Sequence, residues 1–531
     1  MTTVAHAIMA TLADAGVTTV FGLPGVHNLA FWEPGEGLPE IVGTRHEQTT
    51  VYAADGLARA TGGLGVAFTT TGPGVANAAG AFGEAARSGS PVLLLTSEVA
   101  TTVARPGVVR GGLHESADQA AMFEPLAKAV FRPRTAADAV RAVAEAARVA
   151  MQWPRGPVYV DVPTDVLSEQ AEPLPVAPPA RLAPDAADVT RAVGLIGASE
   201  HVVLWVGGGA VQSDAGEAIT ELAERLAAPV VATWAGRGVV AAGHPWSVDL
   251  PPHEPAVAAL LADADLMIAI GTEFDGPNTK NWTMPRPPAL ISVNVDPVDV
   301  AKNFLPDIAI VADARTTVVA LLDRVGKRDG DPYNPEFAAD ERTTSAVALV
   351  AAVDSAVARH DATVVNDMAI AGYWVGGYGR FAAPRRMQYP VGWGTLGYAL
   401  PAAVGVGATH GRPVLAICGD GGFMFAVGEL AVLVEQRMPV TVLLVDDGGY
   451  GMLRFDQDHT GSAHRGVDLV RPDFLALAAA FGIPAVESTL DGLADALGTA
   501  LGANGPRLVL VKESLYPPRT ISARWPERGT R

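Results

Sequence analysis

The stretch that decides the fold is Arg412–Met452, RPVLAICGDGGFMFAVGELAVLVEQRMPVTVLLVDDGGYGM. It reads as strand, acidic glycine turn, helix, strand, acidic glycine turn. The apolar, β-branched runs Pro413–Cys418 and Val440–Val445 are the strands. Apolar residues between Phe425 and Gln436 recur at helical spacing, which predicts one helix there. So short a strand–helix–strand unit makes the strands parallel, with a right-handed crossover. Both acidic turns then fall at the carboxyl edge of one sheet, where open α/β sheets bind ligands. Asp420 opens the first turn and Asp447 the second, so two carboxylates face one place. With a backbone oxygen at Gly449 they are candidate ligands of a hard cation. Gly421, Gly422 and Gly448 leave backbone groups open to phosphate oxygens. Either Asp-Gly sequence alone is an ordinary turn. The signal is the pair, each member ending a buried strand.

The same alternation continues outward. Before the unit come a helix over Thr2–Gly16, a strand over Val17–Phe21, and a turn, Gly22–Gly25, that carries His27 and Asn28. A strand at Glu40–Gly43 runs through Thr44-Arg-His-Glu47 into a helix over Gln48–Ala60. The strand Gly65–Thr70 ends in Thr71-Gly-Pro-Gly-Val-Ala-Asn77, a helix follows to Ala86, and Pro91–Thr96 is the next strand. After an irregular loop over 105–120, a helix at Ala136–Gln152 and a strand at Pro157–Val162 close this region. Residues 165–190 and 326–340 have linker composition. Between them lie strands at His201–Val206, Val230–Thr233, Leu266–Ile270 and Ala289–Val295. Beyond them are Ala362–Val365, the opening unit, and a last strand at Leu508–Val511. The fold class is α/β, with three domains, each a parallel sheet flanked by helices, over 1–165, 190–326 and 341–531. The tail from Pro517 is expected to wrap or fray. Gly207-Gly-Gly209 is an incomplete dinucleotide fingerprint, because position 212 is Gln, and it reads as a simple turn.

The totals agree. The 531 residues suit about three domains of roughly 150 residues. Hydrophobic residues are 49% and charged residues 18%, which favours large cores over disorder. A net charge of −19 argues against nucleic acid and anionic membrane as partners. The single cysteine, Cys418, falls in a core strand, so no internal disulfide framework is possible. No Lys or Arg precedes Arg45, and no apolar run reaches membrane-spanning length. A cytoplasmic location is expected.

Read locally, Thr44-x-x-Glu47 is a capping box at a helix start. Leu396, in Gly392-Trp-Gly-Thr-Leu-Gly-Tyr-Ala-Leu-Pro401, is a core residue, and loop histidines such as His27 and His114 are solvated. A resemblance changes these readings. The Gly-Asp-Gly turn followed by a second glycine turn resembles the signature of thiamine-diphosphate-dependent 2-oxo acid enzymes, the acetolactate synthase and benzoylformate decarboxylase group. The order Glu47, Ala54-Asp-Gly-Leu-Ala-Arg59, Thr71–Asn77 and Gly392–Pro401 matches it across all three domains. One departure is Asp446-Asp447, where that family usually has Asn-Asn; it implies extra negative charge beside a diphosphate.

The resemblance implies a pyrimidine-binding first domain, a central Rossmann-like domain and a diphosphate-binding third domain. It makes Glu47 the acid that hydrogen-bonds the aminopyrimidine, and Leu396 the wedge that bends the cofactor. Gly394, Thr395, Asn77, Gly421, Gly422, Tyr450, Gly451 and Met452 join them as cofactor contacts. Mg2+ falls to Asp420, Asp447 and Gly449. The substrate side is His27, Asn28, His114 and Gln119, with Tyr450, Met452 and Phe455. Catalysis is assigned to Glu47, His114 and His27. Homodimers or homotetramers with sites at the subunit interface are implied. The expected reaction is decarboxylation of a 2-oxo acid to an enamine, then acetolactate-synthase-like carboligation to an aldehyde or ketone. A non-ligating decarboxylase of the guanidino-oxopentanoate type is the alternative, suggested by Val26-His27 and Leu113-His114-Glu115. Val26 and Thr70 replace the Ser and His of benzoylformate decarboxylases, which argues against an aryl substrate. FAD is not expected, because Val248-Asp-Leu-Pro-Pro-His-Glu-Pro255 and Glu273-Phe-Asp-Gly276 depart from the flavin-contacting loops. A catalytically retired binding homologue and an NAD- or FAD-dependent oxidoreductase using Gly207–Gly209 are the further alternatives.

Overall fold

Continuous β-branched runs buried on both faces pair only in parallel, with helices covering them. The computed structural model, which describes residues 2–33, 35–105 and 107–519, contains three such sheets of six strands. The first comprises β1 (Thr19–Gly22), β2 (Glu40–Gly43), β3 (Gly65–Thr69), β4 (Val92–Glu98), β5 (Ala129–Phe131) and β6 (Val158–Pro163). Its spatial order is β2-β1-β3-β4-β6-β5. The second comprises β7 (Val202–Val206), β8 (Val230–Ala232), β9 (Ser247–Val248), β10 (Leu266–Ile270), β11 (Ala289–Asn294) and β12 (Ile308–Val311), ordered β9-β8-β7-β10-β11-β12. The third comprises β13 (Thr363–Asn366), β14 (Met387–Gln388), β15 (Val414–Gly419), β16 (Val440–Asp446), β17 (Ala485–Glu487) and β18 (Arg507–Lys512), ordered β14-β13-β15-β16-β18-β17. The first and third sheets therefore share one topology. The middle sheet has the doubly wound order of dinucleotide folds.

One core joins the first and third sheets. Tyr52, Phe82 and Phe123 from the first region pack in the same buried cluster as Tyr398, Leu430 and Leu444 from the third. Its hinge of contact is helix α1 (Glu47–Thr61) against α3 (Ala399–Gly407); α2 (Pro73–Arg87) packs beside α1. The two backbones meet at glycines. A β-carbon on Gly56 would stand 2.3 Å from the Ala402 carbonyl oxygen, and one on Gly405 1.8 Å from that of Ala53. Gly405→Ala is therefore expected to destabilise the chain by about 1–3 kcal/mol, read as a lower melting temperature, because the obstacle is backbone and cannot swing aside.

Three expectations change. The single helix expected over Phe425–Gln436 is broken. α4 starts at Asp420 itself (Asp420–Phe423), a 3-10 turn covers Val427–Glu429, and α5 is Leu430–Glu435. Gly428 weakens the helix there, and the Glu429 carboxylate is drawn to the Arg45 N–H across the core. The capping box does not form. Thr44 Oγ1 turns to the carbonyl of His46, 3.1 Å away, and His46 caps α1 through Nδ1. The first helix begins at Val4 rather than Thr2, because Thr2–Thr3 pairs antiparallel with Gln170–Ala171 at the start of the expected linker.

Gly207 and Gly209 are taken up by packing. β-carbons there would meet the Gly271 carbonyl oxygen at 2.4 Å and the Gly271 Cα at 2.8 Å. The expected wrapping or fraying tail lies, from residue 520, outside the described residues. No helix among the described residues is long and apolar enough to cross a membrane.

Candidate active site

β15 and β16 run in register from Val414↔Val440 to Gly419↔Val445, so both end at one sheet edge. Asp420 opens α4 there. It is 3% exposed, and neither carboxylate oxygen has a hydrogen-bond partner. Burial, and then the neighbouring Asp447, push its pKa up to about 7. Asp447 Oδ1 is buried without a partner as well, and burial raises its pKa, opposed by the Arg454 guanidinium. Buried carboxylate oxygens without partners, two on Asp420 and one on Asp447, are costly unless a cation joins them. Among the described residues no cluster of three or more His, Cys, Asp or Glu side chains forms a metal cage. Two carboxylates with backbone oxygen nearby fit Mg2+, which takes one or two carboxylates and completes its shell with phosphate oxygens and water.

The second turn is held in a shape few residues adopt. Gly448 has φ 90° and Gly449 φ 148°, and a β-carbon on Gly449 would stand 2.0 Å from the Val467 carbonyl oxygen. Tyr450 N donates to Val467 O and Leu469 N to Gly448 O, pinning the turn against 467–469. Gly451 opens α6 (Gly451–Thr460), and a β-carbon there would stand 1.9 Å from Asp447 Oδ2. Of the two aspartates at this departure, Asp446 has a cationic partner. Its carboxylate accepts from Arg471 Nη1 at 3.2 Å and from Gly448 N at 3.2 Å.

A cradle forms beside the two aspartates. A β-carbon on Gly421 would meet the Tyr450 ring at 2.5 Å; on Gly422 it would meet Asp367 Oδ2 at 2.9 Å and Leu396 Cδ1 at 3.2 Å. Leu396, Gly421, Gly422 and Tyr450 thus come together, and Gly394 turns with φ 67° two residues before Leu396. Met452 packs half-buried against the third region's core. Asp367 was missed in the sequence. It follows the last residue of β13 at the same edge and accepts from Gly397 N at 2.8 Å, while burial pushes its pKa up to about 6. Applying the edge rule to every strand of the third sheet would have found it.

The other group of residues lies in the first region. Glu47 is the first residue of α1. Its Oε2 accepts from Asn77 Nδ2 at 3.0 Å, and its Oε1 is 3.3 Å from where a Gly74 β-carbon would stand. Both neighbours belong to the start of α2. The preceding residue pair is gripped from the third region, because Arg45 N lies 3.1 Å from each Glu429 oxygen. Burial pushes the Glu429 pKa up to about 7.

His27 and His114 meet edge to face, with ring centroids 5.4 Å apart. Burial, and then His114, lower the His27 pKa. His27 Nε2 and His114 Nδ1 are buried without partners. The His114 carbonyl oxygen lies 2.4 Å from where a Gly72 β-carbon would stand, so the histidine pair flanks the same α2 start as Glu47. Asn28 and Gln119 are spent on the backbone. Asn28 bridges Gly25 N and Leu23 O, and Gln119 bridges Gly72 N and Ser97 O. The Phe455 ring packs on Tyr516 at 5.4 Å. Within one chain, the described hydrogen bonds do not join the Glu47 group to the Asp420–Asp447 cradle.

Comparison with known proteins matches this arrangement. Residues 2–122 match the N-terminal TPP binding domain of thiamine pyrophosphate enzymes, residues 189–321 the central domain, and residues 367–511 the C-terminal TPP binding domain. A Pseudomonas aeruginosa protein named "Probable 2-ketoarginine decarboxylase AruI" is 35% identical, covering 96% of this chain and 94% of its own length. Acetolactate synthase of Mycobacterium bovis is 32% identical, covering 90% and 82%. The crystal structure of benzoylformate decarboxylase from Polynucleobacter necessarius superposes with a TM-score of 0.85 at 25% identity, covering 97% of this chain and all of that one. Three matched domains in order, on sheets of this topology, make the chain a member of the thiamine pyrophosphate enzyme family.

Proposed function

We propose that this chain binds thiamine diphosphate with Mg2+, decarboxylates a 2-oxo acid, and passes the acyl fragment to a carbonyl acceptor, as acetolactate synthases do. The observation that carries the reading is the set of buried, unpartnered carboxylate oxygens on Asp420 and Asp447 beside the Gly421-Gly422 cradle. Asp420, Asp447 and the Gly449 carbonyl would hold the metal, and the glycine backbone the diphosphate. Gly394, Thr395 and Leu396 would meet the pyrimidine side, with Tyr450, Gly451 and Met452 closing the opposite wall. When bound, thiamine diphosphate supplies a nucleophilic carbon and an electron sink for the carbon that loses CO2. Glu47, set by Asn77, gives and takes a proton at the pyrimidine. His27 and His114 face the substrate, where an imidazole can take or return a proton. Asp446 is paired with Arg471, while Asp447 brings its charge to the metal beside the diphosphate.

The units of this reading are 1–165 for the pyrimidine, 190–326 for the central domain and 341–531 for the diphosphate. The site is assembled between subunits of a homodimer or homotetramer; among the described residues no hydrogen bond runs from Glu47 to Asp420 or Asp447 within one chain. Exposed apolar side chains beside both groups support that assembly: Val26 and Leu113 flank the histidines, and Phe425 and Leu453 flank the cradle. The protein acts in the cytoplasm, without flavin.

A second reading, proton transfer in place of carboligation, is favoured by the histidine pair and by the 2-ketoarginine-decarboxylase-named relative. A CO2-release assay across aliphatic, aromatic and cationic 2-oxo acids, with and without an aldehyde, separates the two. Carboligation gives a product of the added aldehyde. Protonation gives an aldehyde from the acid alone. Calorimetry showing no binding of thiamine diphosphate with Mg2+ up to millimolar concentration would instead mark a retired homologue.

A further inference from the structure

Glu84 lies in the middle of α2 with a fully buried side chain. The cation paired with it, Arg59, is shared with a second carboxylate. Arg59 Nη2 is 3.4 Å away and is closer to Asp55, at 2.8 Å. Its two oxygens reach out of the first region to a loop 308 residues along the chain. Oε1 accepts from Gly392 N at 2.8 Å and from Ser88 Oγ at 2.9 Å; Oε2 accepts from Trp393 N at 2.8 Å. Bonds from backbone N–H to a carboxylate are short and strong, and a buried charge without them is not kept.

The loop so held continues at once into Gly394, Thr395 and Leu396. Other first-region groups hold it too. Thr395 Oγ1 is 3.4 Å from Glu84 Oε2 and hydrogen-bonds Tyr52 of α1. The Trp393 indole lies against α2, where a β-carbon on Gly83 would stand 2.1 Å from its Cζ3. Beyond the loop, Leu396 Cδ1 comes within 3.2 Å of the Gly422 β-position in the cradle. A shift of the 392–393 peptide therefore moves Leu396 relative to Gly422.

We propose that Glu84 is a positioning residue: through the N–H groups of Gly392 and Trp393 it sets the loop that presents Gly394 and Leu396 to thiamine diphosphate, without touching the cofactor itself. The inference rests on the reading of the cradle as a thiamine diphosphate site. It adds a residue from the opposite end of the chain to that site.

The test uses the full-length chain and Glu84→Gln, which keeps the side-chain volume but turns an amide NH2 toward one of the two backbone N–H groups. Thiamine diphosphate is titrated in Mg2+ buffer by calorimetry and by tryptophan fluorescence, well below the melting temperature. The near-ultraviolet circular dichroism of the bound cofactor and the melting temperature of the cofactor-free protein are recorded alongside. Glu84→Gln is expected to bind about 10- to 100-fold more weakly and to alter the dichroism of the bound cofactor. Ser88→Ala, which removes only the hydroxyl on Oε1, is expected to stay within about twofold of wild type in affinity.

Gly83→Ala, which pushes the loop through the indole without touching the charge, is expected to follow Glu84→Gln. It serves as the test where Glu84→Gln gives no folded protein. Folded variants with a lowered melting temperature but wild-type affinity and dichroism overturn the proposal, since a purely structural role would look like that. Wild-type protein that binds no thiamine diphosphate overturns the cradle reading and this proposal together. Binding by wild type with unaltered variants overturns only the role of Glu84.

Discussion

Glu47→Gln is expected to lose about 10²–10⁴-fold in turnover while thiamine diphosphate and Mg2+ still bind. The residue stands at the first turn of α1, and its Oε2 is already engaged by Asn77. That bond fixes the side chain and leaves Oε1 over the Gly74 position as the oxygen free to exchange a proton. Glutamine has the same shape and can keep one hydrogen bond, but it cannot give or take a proton. The metal and diphosphate groups, in contrast, are held by residues of the third sheet. Binding and chemistry should therefore separate in this variant. Steady-state rates and cofactor calorimetry on the same preparation check it. Near-normal turnover would remove Glu47 from the mechanism.

Asp420→Asn is expected to abolish Mg2+-dependent cofactor binding, by about 100-fold or more, and yet to stabilise the metal-free protein at pH 8. The sign follows from the pKa. The Asp420 carboxyl titrates near 7 in the fold and near the ordinary 3.8 when unfolded. Between those values the folded chain holds a proton that the unfolded chain does not. Stability of the metal-free protein from this group is therefore present below about pH 4 and lost as pH rises toward 7. The asparagine variant lacks that loss, a difference of up to about 4 kcal/mol at pH 8. Adding Mg2+ and thiamine diphosphate reverses the order, since only wild type gains stability from ligand binding. Melting curves at pH 5 and pH 8, with and without both ligands, measure all four corners. Equal responses of the two proteins would show that Asp420 is not a metal ligand.

The two expected results draw on different parts of the sequence. Asp420 and Asp447 were legible because each ends a strand whose apolar run is local and unbroken. The strands Glu40–Gly43 and Leu266–Ile270 have the bounds their composition predicts. Glu47 was ambiguous. Its capping-box pattern is genuine in the sequence, but Thr44 is drawn away toward the His46 carbonyl and His46 takes the cap. The helix expected over Phe425–Gln436 failed for a similar reason. Its polar residue Glu429 is committed to Arg45, 384 positions away, and periodicity within the segment carries no trace of that partner.

By itself the sequence determined the alternation of strands and helices, the three-part α/β class, and the two acidic edges one crossover apart. These depend on short-range periodicity and on strand ends, which neighbouring residues set. Only the tertiary structure decided that the first and third sheets share one strand order, and that Arg471 pairs with Asp446. It also decided that Asp367 completes the cradle, and that Glu84 and Glu429 each hold a turn of the opposite region. The reason is physical. A buried carboxylate is stabilised by whichever N–H groups and cations the packed chain brings to it, and those partners lie from 25 to 384 residues away, beyond the reach of any local pattern.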